Sequence, residues 1–127
     1  MKLSWDGLYT LCQVNLVEIK FTRRLQFAGR PPSRRMLATL DGQLLNSKEG
    51  MEILNFKPPM KSPAYDAKSK GLLTVWDLLF QDWRNIPVSN CDVIATVPSR
   101  PPDKFWEYFN KVIGKMSAAQ KAAFVDR

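Results

Sequence analysis

Histidine is absent from all 127 residues of the chain, and cysteine occurs only twice, at Cys12 and Cys91. Histidine is the usual base beside a catalytic serine or cysteine, and it is the commonest zinc ligand. Its absence argues against Ser-His-Asp triads, activated cysteines and nearly all common zinc sites. The two cysteines lie far apart in the sequence, and we expect them to be reduced thiols in the core.

Long apolar runs are also absent. No stretch approaches the roughly 20 apolar residues of a membrane span, and Asp6 and Gly7 interrupt the N-terminal residues before a secretory signal core develops. We therefore expect no membrane partner. With 45% hydrophobic and 24% charged residues, residues 1–127 are expected to form a single domain that needs no disulfide or metal to fold.

Acidic residues are missing from one continuous segment, Lys20–Arg35, which holds six basic side chains. A second segment, Lys57–Lys70, contains four lysines and one aspartate. These segments contribute +6 and +3 to the net charge of +7, so the rest of the chain sums to −2. Charge confined in this way predicts a local basic patch and an anionic partner.

The apolar pattern divides the chain into three regions. Residues 1–14 are predicted to form a short helix with Ser4 as its N-cap, 15–98 to form strands, and 99–127 to form a helical tail. The strands Leu16–Arg24 and Arg35–Leu40 are predicted to form a hairpin, with a basic loop at its tip. Further strands are predicted at Glu52–Phe56, Leu72–Trp76, Trp83–Val88 and Val93–Val97, and a turn at Asn46–Gly50.

Short strands at roughly 10-residue spacing predict a small antiparallel barrel, within a mainly β protein with terminal helices (α+β). In the tail, Asp103 favours a helix start, and an apolar stripe follows it. The stripe consists of Phe105, Phe109, Val112 and Ile113. Ser117 and Gln120 predict a capping box for a last short helix that ends near Val125.

Arginine accounts for five of the six cations in the first basic segment. Its planar fork makes paired contacts with carboxylate or phosphate that lysine cannot reproduce. Arg30, Arg34 and Arg35 bracket two prolines that stiffen the loop and reduce the entropy lost on docking. The predicted partner-binding residues are Arg23, Arg24, Arg30, Arg34, Arg35, Lys57 and Lys61. The alternative is a solvated loop that only promotes solubility.

Signals for an enzyme are weak, and we expect no catalytic residues, metal or cofactor. The chain has no phosphate-binding glycine loop, dinucleotide fingerprint or metalloprotease motif. Asp77 and Asp82 offer a carboxylate pair to a metal-dependent nuclease, but they are better interpreted as caps of a tight turn. Trp76 and Trp83 are expected in the core, with a stacking platform for single-stranded nucleic acid as the alternative.

Several segments together resemble one family, the RpbA family of RNA-polymerase-binding proteins from T4-type tailed phages. These segments are Gly29–Leu37 (GRPPSRRML), Leu44–Ser47 (LLNS), Leu73–Arg84 (LTVWDLLFQDWR), Phe105–Asn110 (FWEYFN) and Lys115–Ser117 (KMS). The central part also resembles Sm-like, SH3-type barrels. The resemblance implies a non-enzymatic, cytoplasmic protein of an infected bacterium that binds the host RNA polymerase core and modulates transcription. No catalytic residues are carried over.

Two functions therefore remain open from the sequence. The first is a regulator that binds RNA polymerase through the basic loop and the barrel surface. The second is a barrel protein that binds DNA or RNA directly through the same basic segments, with an affinity that falls steeply with salt.

Overall fold

The computed structural model, which describes residues 2–23, 28–29, 31–57 and 67–126, contains a five-stranded antiparallel sheet with helices at both ends of the chain. The strands are β1 (Asn15–Thr22), β2 (Ser33–Thr39), β3 (Leu72–Asp77), β4 (Asp82–Pro87) and β5 (Cys91–Pro98). The helices are α1 (Trp5–Cys12), α2 (Gly42–Leu45), α3 (Lys48–Ile53), α4 (Pro102–Lys111) and α5 (Ala118–Val125). Short 3-10 turns span Lys68–Lys70 and Val88–Asn90. The α+β class is confirmed.

The sheet order is β4-β3-β2-β1-β5, so β1 lies between its hairpin partner and the last strand. The pairing of β1 with β2 runs from Val17 opposite Ala38 to Thr22 opposite Ser33, which confirms the predicted hairpin. By contrast, β2 and β3 share only two residue pairs. Since β4 and β5 lie at opposite edges, the sheet of the described residues is not closed into the predicted barrel.

Each face of the sheet supports its own hydrophobic core. Successive side chains of a strand point to opposite faces, and in β1 Leu16 joins one cluster while Val17 and Ile19 join the other. Helix α1 covers the second face with Leu8 and Cys12. The first face is covered by residues of α2, α4 and α5. They are Leu44, Leu45, Phe105, Trp106, Phe109 and Phe124.

Both cysteines are buried free thiols on the α1 side of the sheet, as predicted. Burial raises the pKa of Cys12 to about 12, with a smaller contribution from Cys91. Burial likewise raises the pKa of Cys91 to about 12. Both groups therefore stay protonated at neutral pH and act as small apolar side chains.

Two predictions for the middle of the chain are wrong. The segment Asn46–Gly50 is not a simple turn, because Ser47 accepts a hydrogen bond from the N–H of Gly50 at 2.9 Å and caps α3. The predicted strand Glu52–Phe56 is absent, since its first two residues complete α3. Asn55 then takes a positive φ of 53°, which breaks any extended run.

The helical tail follows the predicted pattern. Phe105, Phe109 and Ile113 are buried against the sheet, whereas Val112 of the predicted stripe is half exposed. Helix α5 has the capping box of Ser117 and Gln120 and ends at Val125. The buried ring of Phe124 anchors this helix in the core, which places its last turn beside the β1–β2 hairpin.

Candidate functional site

The predicted basic loop is shorter than expected, because strand β2 already begins at Ser33. Arg34 and Arg35 are therefore strand residues, and the β1–β2 ladder holds their backbone. The N–H of Arg23 donates to the carbonyl of Pro32 at 2.8 Å, which extends the hairpin by one hydrogen bond. Three predicted contacts, Arg24, Arg30 and Lys61, lie outside the described residues, and Lys57 is exposed.

Each described arginine of the hairpin forms an ion pair with a carboxylate from another part of the chain. Arg23 Nη2 lies 3.0 Å from Asp126 Oδ1, which follows helix α5. Arg34 Nη2 lies 3.3 Å from Asp77 Oδ2 at the end of β3. Arg35 Nη1 lies 2.8 Å from Glu18 Oε2 on the neighbouring strand. The segment is acid-free in sequence, but acids surround it in space.

Asp77 organises the turn between β3 and β4. Its carboxylate is 1% exposed, and its Oδ1 accepts hydrogen bonds from the N–H groups of Leu79 and Phe80 at 2.9 and 3.1 Å. Burial raises the pKa of this carboxyl, and these two hydrogen bonds and the charges of Arg34 and Arg84 offset only part of that rise. The predicted role of Asp77 as a turn cap is confirmed.

Asp82, the other member of the predicted carboxylate pair, is exposed and accepts a hydrogen bond from its neighbour Trp83 at 2.8 Å. Within the residues that the structure describes, no three His, Cys, Asp or Glu side chains are grouped to hold a metal ion. The two carboxylates therefore act on the backbone of one turn, and they are not part of a larger acidic cluster there.

Three arginines meet at one open cavity of about 310 Å³, which we call the arginine pocket. Arg23 and Arg34 reach it from the two strands of the hairpin, and Arg84 reaches it from β4. Phe80, in the β3–β4 turn, forms part of the wall. The remaining wall is the C-terminal turn of α5, with Ala122, Val125 and Asp126.

The pocket combines cationic and apolar surfaces. The guanidinium carbon of Arg34 lies 5.9 Å from the centre of the Phe80 ring, within the range of a cation–π contact. The Phe80 side chain itself is 44% exposed. Arg84 makes two long ion pairs, at 3.9 Å to Asp77 and 3.8 Å to Asp82. Its Nε is buried and has no hydrogen-bond acceptor among the described residues.

The C-terminal part of the second basic segment belongs to a different surface. Lys68 lies 4.6 Å from the centre of the Trp5 ring and 3.0 Å from Asp6 Oδ1. None of these residues lines the arginine pocket, so the lysines around Lys68 belong to a separate surface.

The two tryptophans of the β3–β4 hairpin form part of the core rather than a stacking platform. Trp76 is 2% exposed and contacts Trp83 edge to face at 5.3 Å. Phe56 completes the cluster, with ring centres 5.1 and 5.6 Å from the two indoles. Trp83 also donates to the carbonyl of Lys57 at 3.1 Å, which confirms the predicted structural role.

Sequence reasoning missed Arg84, Phe80 and Asp126 as pocket residues. Arg84 follows Trp83 in a predicted strand that lies far along the sequence from the first basic segment. Nothing in the sequence around Arg84 indicated that it would lie beside the arginines of the β1–β2 hairpin. Asp126 is 103 residues from Arg23. Only the tertiary packing of α5 brings these groups together, so no local pattern could have identified them.

No helix in the described part of the chain is both long and apolar enough to span a bilayer. Comparisons with protein-family models, with curated proteins and with solved structures give no match to this chain.

Proposed function

We propose that this protein is a non-enzymatic regulator that binds the RNA polymerase core of an infected bacterium and modulates transcription in the cytoplasm of that host. The contact surface is the hairpin end of the sheet, with the arginine pocket at its centre. The proposal includes a relationship of this sheet, in which the last strand β5 pairs with β1, to SH3- or Sm-like barrels.

One observation carries the binding role: three arginines, one just after β1, one in β2 and one in β4, line a single open pocket. Like charges repel, so a cluster of this kind is stabilised by anions. Arginine is also enriched at protein–protein interfaces, where its fork pairs with carboxylates. The exposed ring of Phe80 adds the aromatic component that such contact sites often contain.

The choice of polymerase as the partner rests on the resemblance to the phage RNA-polymerase-binding family. Two of its segments, Gly29–Leu37 and Leu73–Arg84, supply Arg34, Phe80 and Arg84 to the pocket. RNA polymerase is a large acidic assembly, and an arginine surface suits such a partner. The family resemblance and the pocket therefore point to the same end of the sheet.

Direct nucleic-acid binding is the second candidate, and a separate observation favours it. Trp5 and Tyr9 stack with ring centres 5.1 Å apart, and Lys68 lies over the Trp5 ring. Tyr9 is 39% exposed. Aromatic rings beside lysines are the components of single-strand binding surfaces, and none of these residues lines the arginine pocket.

The first test is capture of purified bacterial RNA polymerase core by the tagged protein, after nuclease treatment of both components. We expect retention at moderate salt, because a protein interface buries apolar area as well as charge. A tagged globular protein of similar net charge serves as the control. If the polymerase is not retained, or is retained equally by the control, the proposed function is wrong.

The same preparation separates the two candidates. A gel-shift series with free duplex and single-stranded DNA reports nucleic-acid binding without polymerase. Tight polymerase binding with negligible DNA affinity supports the regulator. The reverse result supports the direct nucleic-acid binder.

A further inference from the structure

The arginine pocket already holds a carboxylate from its own chain. Asp126 follows the last turn of α5 and lies 3.0 Å from Arg23, although its own side chain is 49% exposed. The Arg23 side chain is only 10% exposed, so its charge needs an anionic partner. Asp126, by contrast, can turn to solvent at little cost, and a carboxylate from outside can then take its place.

Arg84 also has no carboxylate oxygen of the described residues within hydrogen-bond distance of its guanidinium group. Its nearest carboxylate oxygens lie at 3.8 and 3.9 Å, beyond the length of a hydrogen bond. Its Nε is buried and has no acceptor in the described part of the chain. A ligand carboxylate within hydrogen-bond distance of the Arg84 guanidinium would give this side chain the close charged partner that these two carboxylates do not provide.

Charge balance indicates the class of ligand. Three arginines pair with three carboxylates, Asp77, Asp82 and Asp126, so their charges balance. Displacing Asp126 leaves a charge of +1, which one incoming carboxylate neutralises. A phosphate monoester, with a charge near −2, would leave an excess negative charge of about −1. The apolar wall of Phe80, Ala122 and Val125 favours a hydrophobic neighbour beside the acid.

We propose that the arginine pocket binds a glutamate or aspartate side chain of an acidic partner peptide, flanked by an apolar residue, and that Asp126 occupies this place in the free protein. The inference rests on the proposed function, because the peptide would belong to an acidic surface of the polymerase. Asp126 is then an internal competitor, and each binding event exchanges one carboxylate for another.

The test uses a short labelled peptide of alternating glutamate and leucine, measured by fluorescence anisotropy with the full chain. Arg84→Gln is expected to weaken binding about tenfold, because a charged hydrogen bond is lost. Asp126→Asn is expected to strengthen binding about two- to fivefold, since the competing ion pair is weak. Lys104→Gln removes the same charge from an exposed position on α4 outside the pocket, and it should change little.

Melting temperatures show whether the three variants are folded. A folded Arg84→Gln protein that binds the peptide as well as the wild type overturns the proposal. An Asp126→Asn variant whose affinity for the peptide is unchanged or lower also overturns it. A glutamine peptide, free glutamate, inorganic phosphate and a single-stranded oligonucleotide are tested as competitors. If phosphate or the oligonucleotide displaces the acidic peptide better than free glutamate does, the carboxylate assignment is wrong.

Failure of this inference differs from failure of the proposed function. If polymerase binds the wild type and Arg84→Gln equally, the regulator stands and the pocket assignment is wrong. If the acidic peptide binds as expected but polymerase is not retained, the pocket stands and the proposed partner is wrong.

Discussion

Asp41 joins the start of α2 to the link between β5 and α4 through one buried carboxylate. It accepts hydrogen bonds from the hydroxyl of Ser99 and from Nε and Nη2 of Arg100 at 3.3 Å each. It also caps α2 by accepting from the N–H groups of Gln43 and Leu44. Burial raises the pKa of this carboxyl, but the hydrogen bonds from Arg100, Ser99 and Leu44 and the Arg100 charge outweigh it and lower the pKa below its ordinary value.

We expect Asp41→Asn to lower the free energy of unfolding at pH 7 by about 1.5–3 kcal/mol, the range for hydrogen bonds to charged groups. A lowered folded pKa means that this stabilisation is complete above the unfolded value of about 3.9 and is lost as the pH falls through the folded pKa. The difference between variant and wild type should therefore shrink below about pH 4. Urea denaturation at pH 7, 5 and 3 measures it, and a difference that grows on acidification contradicts the assignment.

At the scale of elements, the corner between α2 and α3 is packed around a glycine. Gly50 is buried, and a methyl group at its Cα would collide with the carbonyl oxygens of Leu44 and Leu45. Backbone atoms cannot move aside as a flexible side chain does. The glycine therefore allows close helix packing, rather than the turn that sequence reasoning assigned to Asn46–Gly50.

Gly50→Ala is expected to destabilise the fold by about 1–3 kcal/mol or more, as overpacking of a core does. Gly42→Ala is the matched control, because Gly42 is exposed at the start of α2 and its nearest neighbour would be the Asn46 side chain at 3.7 Å. Alanine is the better helix former, so this control should be neutral or slightly stabilising. Midpoints of chemical denaturation compare the two variants. Equal midpoints would show that the backbone between α2 and α3 can shift to accept the methyl group, and the prediction would be wrong.

The same corner shows where local patterns stop being informative. The strands on both sides of the β3–β4 turn and the last two helices were predictable, because their apolar periods and caps are strong. Leu54 and Phe56 also alternate like strand residues, and both are buried. Here the capping of α3 by Ser47 and the left-handed backbone of Asn55 override that alternation. Alternation over so few residues does not exclude other structures.

At the scale of the whole molecule, the sequence revealed the cations of the site but not their partners. Arg23, Arg34 and Arg35 were predictable as a cluster, since they lie in one short segment. Their acids come from β1, β3 and the residue after α5. Charge counted along the chain therefore overestimates the charge that a ligand meets, because folding brings distant carboxylates to the arginines.

This pairing has a measurable consequence for salt dependence. Six free cations in Lys20–Arg35 would give a log–log slope of about −5 for duplex DNA, at about −0.9 for each phosphate contact. Three of the six are paired with internal carboxylates. Because those arginines release fewer counterions on binding, we expect a slope of about −3. Filter binding or gel shift over a salt series gives the value.

A double variant tests the cause of the shallow slope. Glu18→Gln with Asp126→Asn removes the carboxylates that pair with Arg35 and Arg23 and leaves every cation in place. The slope should then become steeper by about 2, since two more contacts release counterions. Lys104→Gln with Lys111→Gln changes the net charge by the same amount in the opposite sense, on α4, and should leave the slope nearly unchanged. If the carboxylate variants do not steepen the slope, the internal ion pairs do not limit the charge available to a ligand.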